Sequence, residues 1–339
     1  MKLHIKTYDL RLAHTFRITH ESRDVQPAVI VGLEDKQGNI GWGEATAVPY
    51  YGQSVEKIVS TLEQHRRLIE TTSLDHPEEY WAELAKEMGM HPFELCAVDV
   101  AGHDLYGKQQ GKPLYEIWGL TIAQLPLTNY TIGMAEIPEM VRKMKAMPWP
   151  LYKVKLGTDH DVEIIKALRQ ETAAIFRVDA NTGWTGPQTV DLAPQLKDLG
   201  VEFLEQPIPV KAVEDQKIAF EHSVLPLIAD ESCQVEADVE RCAPYFHGIN
   251  IKLNKCGGLT PARRMIAQAR SLGLKVMVGC MTESSIGISA IAHLLPLLDY
   301  VDMDGALLLA KDIAKGVTID FGKVRFPDGP GTGAQLLVA

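Results

Sequence analysis

Several things are scarce in this chain of 339 residues, and each scarcity excludes something. No stretch approaches the roughly 18 consecutive apolar residues that a membrane-spanning helix needs, so no membrane partner is expected. The opening MKLHIKTYDLRL alternates as a strand does and lacks the apolar core of a secretory signal. Basic residues form no block, and the formal net charge is −10. That sign argues against nucleic acid as a partner. The five cysteines (Cys96, Cys233, Cys242, Cys256, Cys280) are odd in number and scattered, without paired ligand spacing. They read as reduced thiols in a cytoplasmic protein. No glycine-rich dinucleotide fingerprint follows any strand-like run.

What is present is an ordinary globular composition, 46% hydrophobic and 23% charged, with enough length for one large domain or two. LHIKTYDLRL, AVIVGLED and IGWGEATAV read as a strand meander, with DKQGN as the turn between the second and third. SVEKIVSTLEQHRRLIE, PEEYWAELAKEM and HPFELCAVDVAGHDLYGKQQG then carry helical spacing, and the last stops at Gly-Lys-Pro. Residues 1–124 are therefore expected to form an α+β domain.

From about residue 125 a unit repeats. LTNYTIG, YKVKLG, IFRVDAN, EFLEQP, PLIADES, GINIKLN, LKVMVGC and DYVDMDG are short strand-like runs, separated by helical patterns such as IPEMVRKMKAM, VEIIKALRQET and PARRMIAQARSLG. Eight strands alternating with helices predict a parallel (β/α)8 barrel, a modified TIM barrel, over residues 125–312. The rival layout, an open doubly wound sheet, lacks its fingerprint. Residues 313–339, with GVTIDFGKVRFPDGPGTG, read as strands and a loop returning to the first domain.

In such a barrel the C-terminal strand ends carry the chemistry. Lys155 ends one strand and is followed by Asp179, Glu205, Asp230 and Lys252, at spacings of 24, 26, 25 and 22 residues. That rhythm is one strand-helix unit, so all five should ring one mouth. Unpaired buried charges are costly, which makes five in phase hard to explain structurally. Three carboxylates without His or Cys suit Mg²⁺, leaving octahedral positions for water and substrate. Within LYKVKLGTD, Lys153 and Lys155 share a strand face. Lys153, a nearby cation and partial burial would all disfavour the charged form of Lys155, leaving it a base near neutral pH.

The motifs KVKLG, VDAN, LEQP, ADES and NIKLNKCGG, together with the two-domain layout, resemble the enolase superfamily in its muconate-lactonizing-enzyme subgroup. The resemblance spans nearly the whole chain. It implies Mg²⁺ held by Asp179, Glu205 and Asp230, and proton abstraction beside a carboxylate by Lys155 and Lys252. Branches of the superfamily with a histidine base on the seventh strand are disfavoured, because that strand ends VMVGCMTES.

The eighth strand, YVDMDGALLL, places Asp302 and Asp304 on one face, where two further carboxylates would attract a cation on the substrate. An Asp-x-Asp there resembles the dipeptide epimerases, of the Ala-Glu or D-Ala-Ala kind, in which the pair holds the α-ammonium of a dipeptide. The expectation is thus epimerisation through an enediolate by two lysines. The alternatives are an N-acylamino-acid racemase, a muconate cycloisomerase, or a non-catalytic barrel that binds metal and carboxylate. Lys153, Thr131 and Cys280 are candidate substrate contacts, with a structural role equally open for the last two. Asn181 and Glu231 are expected to support the metal ligands. The loop FRITHESRD lies where the subgroup's capping domain covers substrate, making Arg17, His20, Glu21 and Arg23 candidates for specificity. A homo-oligomer is compatible with this organisation and not required by it.

Overall fold

The structure, a computed structural model, describes residues 1–18 and 21–337. Strands β1 (Lys2–Ile18), β2 (Glu21–Glu34) and β3 (Ile40–Thr46) form an antiparallel sheet in that order. β1 and β2 run further than expected: pairing continues from Phe16↔Arg23 to Ile18↔Glu21, beyond a register shift between Arg11 and Phe16. The stretch expected as a loop is therefore largely strand. Helices Val55–Gln64, Pro77–Met88 and Pro92–Gln110 cover one face of the sheet. The last of these is buried along most of its length. β3 lies so close to it that a Cβ on Gly43 would overlap the carbonyl of Ala97, so only glycine fits there.

The eight parallel strands expected from the sequence are all present: β4 (Tyr130–Ile132), β5 (Leu151–Lys155), β6 (Ile175–Asp179), β7 (Val201–Glu205), β8 (Leu227–Ala229), β9 (Gly248–Lys252), β10 (Lys275–Gly279) and β11 (Tyr300–Asp302). They pair in sequence order. A parallel bridge from Thr128 to Val301 joins the first to the last and closes the (β/α)8 barrel. Alternation sorts the side chains. In β5, Val154 faces the helical layer while Lys153 and Lys155 face the lumen. Below the mouth the lumen is filled by Phe203, Ile228 and Met277, with Tyr300 packed against them. Arg177 sits over the Phe203 and Tyr300 rings and donates to Glu202 at 2.8 Å.

The C-terminal segment does touch the N-terminal sheet and helices. Asp104 accepts hydrogen bonds from Thr332 N (2.8 Å), Trp42 N (2.8 Å) and Lys108 Nζ (2.7 Å), tying three segments together. Among the described residues no helix is long and apolar enough to cross a membrane.

Candidate active site

Register brings the strand-end groups level. Lys155 pairs with Asp179 and Asp179 with Glu205, while Lys252 pairs with Gly279 and Gly279 with Asp302. All five groups in the sequence rhythm meet at one mouth. Carboxylate oxygens of Asp179, Glu205 and Asp230 lie within 4.8 Å of one another, and all three residues are buried. The donor set suits a hard divalent cation. Glu205 Oε2 supports this: it is buried without an aligned hydrogen-bond donor, although the Lys153 ammonium lies 2.7 Å away.

Lys155 and Lys252 stand on opposite walls, four strands apart in a ring of eight. Lys155 Nζ is 2.7 Å from Asp179 Oδ2, and Lys252 Nζ is 2.7 Å from Asp230 Oδ2. Against the effect of burial, Lys252, Lys255 and Lys153 hold the Asp230 carboxyl far below its usual range. Burial, reinforced by Asp179, raises Glu205.

Lys153 shares the face of Lys155, as expected, but its charge is compensated. Its ammonium contacts Asp179 (3.1 Å), Glu205 (2.7 Å) and Asp302 (2.8 Å). Despite burial, those three carboxylates hold it well above the ordinary lysine value. Lys153 is thus a bridge between the metal-type triad and the eighth strand, where the sequence suggested a bare like charge beside Lys155.

Asp302 and Asp304 do reach the same cavity. Both oxygens of Asp302 are taken, Oδ1 by Asn129 (2.7 Å) and Oδ2 by Lys153. Against burial, Lys153 and Asn129 keep Asp302 down at about 2. Asp304 Oδ2 accepts from Thr131 N at 2.6 Å. Burial, with the Asp302 charge beside it, pushes Asp304 up to about 7. Thr131 therefore contacts Asp304 through both its backbone and its side chain. Cys280 lines the cavity, and burial followed by the two aspartates drives its thiol well above the ordinary value.

The cavity and the solvent space at its mouth together span about 790 Å³. Asn181 and Glu231 border it, and their side chains approach at 3.4 Å. Of the residues proposed for specificity, Arg23 lines the cavity and donates to Thr282 at 3.2 Å. His20 and the side chains of Arg17 and Glu21 lie outside the described residues. Sequence reasoning missed several neighbours. Tyr50 and Tyr51 enter from the N-terminal domain, Asn250 donates to Glu205 at 2.8 Å, and Lys255 lies 2.6 Å from Asp230. Asn250 was findable, since it lies two residues before Lys252 on the same strand face.

Two family models match the chain: the mandelate racemase / muconate lactonizing enzyme N-terminal domain over residues 3–119, and the enolase C-terminal domain-like model over residues 136–337. An L-Ala-D/L-amino acid epimerase of Flavobacterium johnsoniae is 55% identical over 99% of this chain and 100% of its own. One of the same name from a Maribacter species is 56% identical over 99% of both. A dipeptide epimerase from Cytophaga hutchinsonii, solved with Mg and the dipeptide D-Ala-L-Val, superposes with a TM-score of 0.93. It is 25% identical over 98% of this chain and 95% of that one.

Proposed function

This chain belongs to the enolase superfamily, and from that premise we propose that it is a Mg²⁺-dependent dipeptide epimerase acting at the α-carbon of the C-terminal residue. The observation that carries the reading is the placement of Lys155 and Lys252 on opposite walls, each beside a different carboxylate of one triad. Asp179, Glu205 and Asp230 are the residues suited to hold Mg²⁺. A bound Mg²⁺ would supply positive charge against the substrate carboxylate as that group takes up the electron pair of the broken C–H bond.

In this mechanism one lysine removes the α-proton from one face, leaving an enediolate, and the other returns a proton to the opposite face. The roles exchange for the other diastereomer. Lys153 lies where it can hold the substrate carboxylate. Asp304, with Asp302 beside it, faces the cavity as the receptor for the α-ammonium, which favours a free dipeptide over an N-acylated amino acid. Thr131 acts on Asp304 through backbone and side chain, and Cys280 forms part of the wall. Relatives named for L-Ala dipeptides support alanine as the N-terminal residue. The free state of all five cysteines supports a cytoplasmic enzyme.

The test is a panel of dipeptides incubated with the enzyme and Mg²⁺ in D₂O, read by ¹H NMR. Loss of the C-terminal α-proton signal with appearance of the second diastereomer is expected. N-acetylated dipeptides turned over as fast as free ones would hand the reading to an acylamino-acid racemase.

A further inference from the structure

Asp230 is held by two lysines, and they differ in kind. Lys252 lines the cavity and faces the position of the substrate. Lys255 does not line it; its side chain is 0% exposed. Its ammonium lies 2.6 Å from Asp230 Oδ1, 2.6 Å from the Asp230 carbonyl and 2.9 Å from the Cys233 carbonyl. An ammonium has three N–H donors, and here three acceptors are in place. Every proton of Lys255 is committed, so it is no third base.

The mounting of Lys255 is rigid. β9 ends at Lys252, and Leu253–Cys256 then makes one helical turn that carries Lys255 round to the β8 side. Gly257 and Gly258, at φ 95° and 117°, end the turn in a region that favours glycine. The N-terminal domain clamps this segment from outside. Thr46 N donates to Asn254 Oδ1 (3.1 Å), Trp81 Nε1 to the Gly257 carbonyl (2.8 Å), and Thr260 Oγ1 to Asp99 (2.7 Å).

We propose that Lys255 is a positioning residue that fixes the orientation of Asp230, occupying Oδ1 and the main-chain carbonyl so that Oδ2, which Lys252 contacts at 2.7 Å, is the oxygen left to turn to the cation. The role rests on the reading of Asp230 as a metal ligand. Lys252 is unsuited to it, because a group that exchanges a proton in every turnover cannot keep a constant grip on its neighbour.

The test uses Lys255→Met, which keeps length without charge, and Lys255→Gln, which keeps two N–H donors. Mg²⁺ binding to each purified protein is measured by calorimetry without substrate, alongside its melting temperature. Partners that orient metal ligands are worth about 10- to 100-fold in metal affinity. Lys255→Met should therefore raise the Mg²⁺ Kd by about that factor, with Lys255→Gln between it and wild type. Three roles separate cleanly. A purely electrostatic Lys255 would lower the Kd when its charge is removed, because the cation would feel less repulsion. A purely structural one would lower the melting temperature and leave the Kd of the folded protein unchanged. Either result overturns the proposal. If Lys255→Met does not fold, Lys255→Gln decides alone: a Kd within about twofold of wild type refutes the role. Wild-type protein that binds no Mg²⁺ would overturn the metal reading itself, and this role with it.

Discussion

Asp304 is the group on which recognition of a free amine should turn. Asp302 has its two oxygens taken by Asn129 and the Lys153 ammonium, whereas among the described residues Asp304 is held by Thr131 alone, through backbone and side chain, with no cation on it. Asp304→Asn should therefore remove the ion pair with the α-ammonium and leave the wall intact. A hydrogen bond to a charged group is worth roughly 1.5–3 kcal/mol, or about tenfold to a hundredfold in kcat/KM. The loss should appear with free dipeptides and not in Mg²⁺ binding, since Asp304 is outside the triad. A pH profile adds a second readout. Burial and Asp302 push the Asp304 carboxyl to about 7, and an ammonium is held by the ionised form. Wild-type kcat/KM should rise with pH through about 7, and Asp302→Asn, by removing one cause of the shift, should move that limb to lower pH. The assay is initial epimerisation rate against pH, by polarimetry, for free and N-acetylated dipeptides. Unchanged discrimination between the two in Asp304→Asn would refute the reasoning.

Three other outcomes are expected. Chelation with EDTA should abolish activity and Mg²⁺ restore it, with Glu205→Gln leaving little; full activity of metal-free protein would sink the ligand assignment. Lys153→Ala should slow epimerisation in both directions and raise KM for the dipeptide, because Lys153 bridges the triad and Asp302; an effect confined to one diastereomer would contradict this. The third concerns stability. Burial pushes Glu44 to about 7 and Glu283 to about 8, above their ordinary 4.5, so the folded chain binds more protons than the unfolded one between these values. Their contribution is complete below about 4.5, falls progressively as pH rises, and is gone above about 7 to 8. Glu283→Gln should flatten the fall in melting temperature between about pH 4.5 and 8, and a profile parallel to wild type over that range would contradict it.

The parts of this site that were legible in the sequence are those governed by short periods. The 22- to 26-residue rhythm from Lys155 to Lys252 placed five groups at one mouth, because each barrel unit repeats one strand and one helix. Alternation placed Lys153 beside Lys155 and Asp302 beside Asp304. What was not legible depends on contacts distant in sequence. Tyr50 and Tyr51 reach the cavity from the other domain, Asn129 meets Asp302 across 173 residues, and Lys255 reaches Asp230 only through an extra helical turn after β9. The compensation of Lys153 by three carboxylates was hidden for the same reason, since adjacency on one strand says nothing of the facing strands. The pairing of β1 and β2 out to Ile18↔Glu21 was read as a loop because polar residues such as Ser22, Arg23 and Asp24 interrupt the apolar alternation there.

The central claim is that Lys155 and Lys252 serve opposite faces of one α-carbon, and solvent exchange tests it most directly. Lys155→Ala and Lys252→Ala are each incubated in D₂O with both diastereomers of one Ala-containing dipeptide, at matched Mg²⁺ and pD, and followed by ¹H NMR. Neither variant should epimerise either diastereomer. Each should still exchange the α-proton of one diastereomer, and the two variants should exchange opposite ones. Exchange of the same diastereomer by both variants would mean that one lysine is not a base, and the two-base account would be wrong.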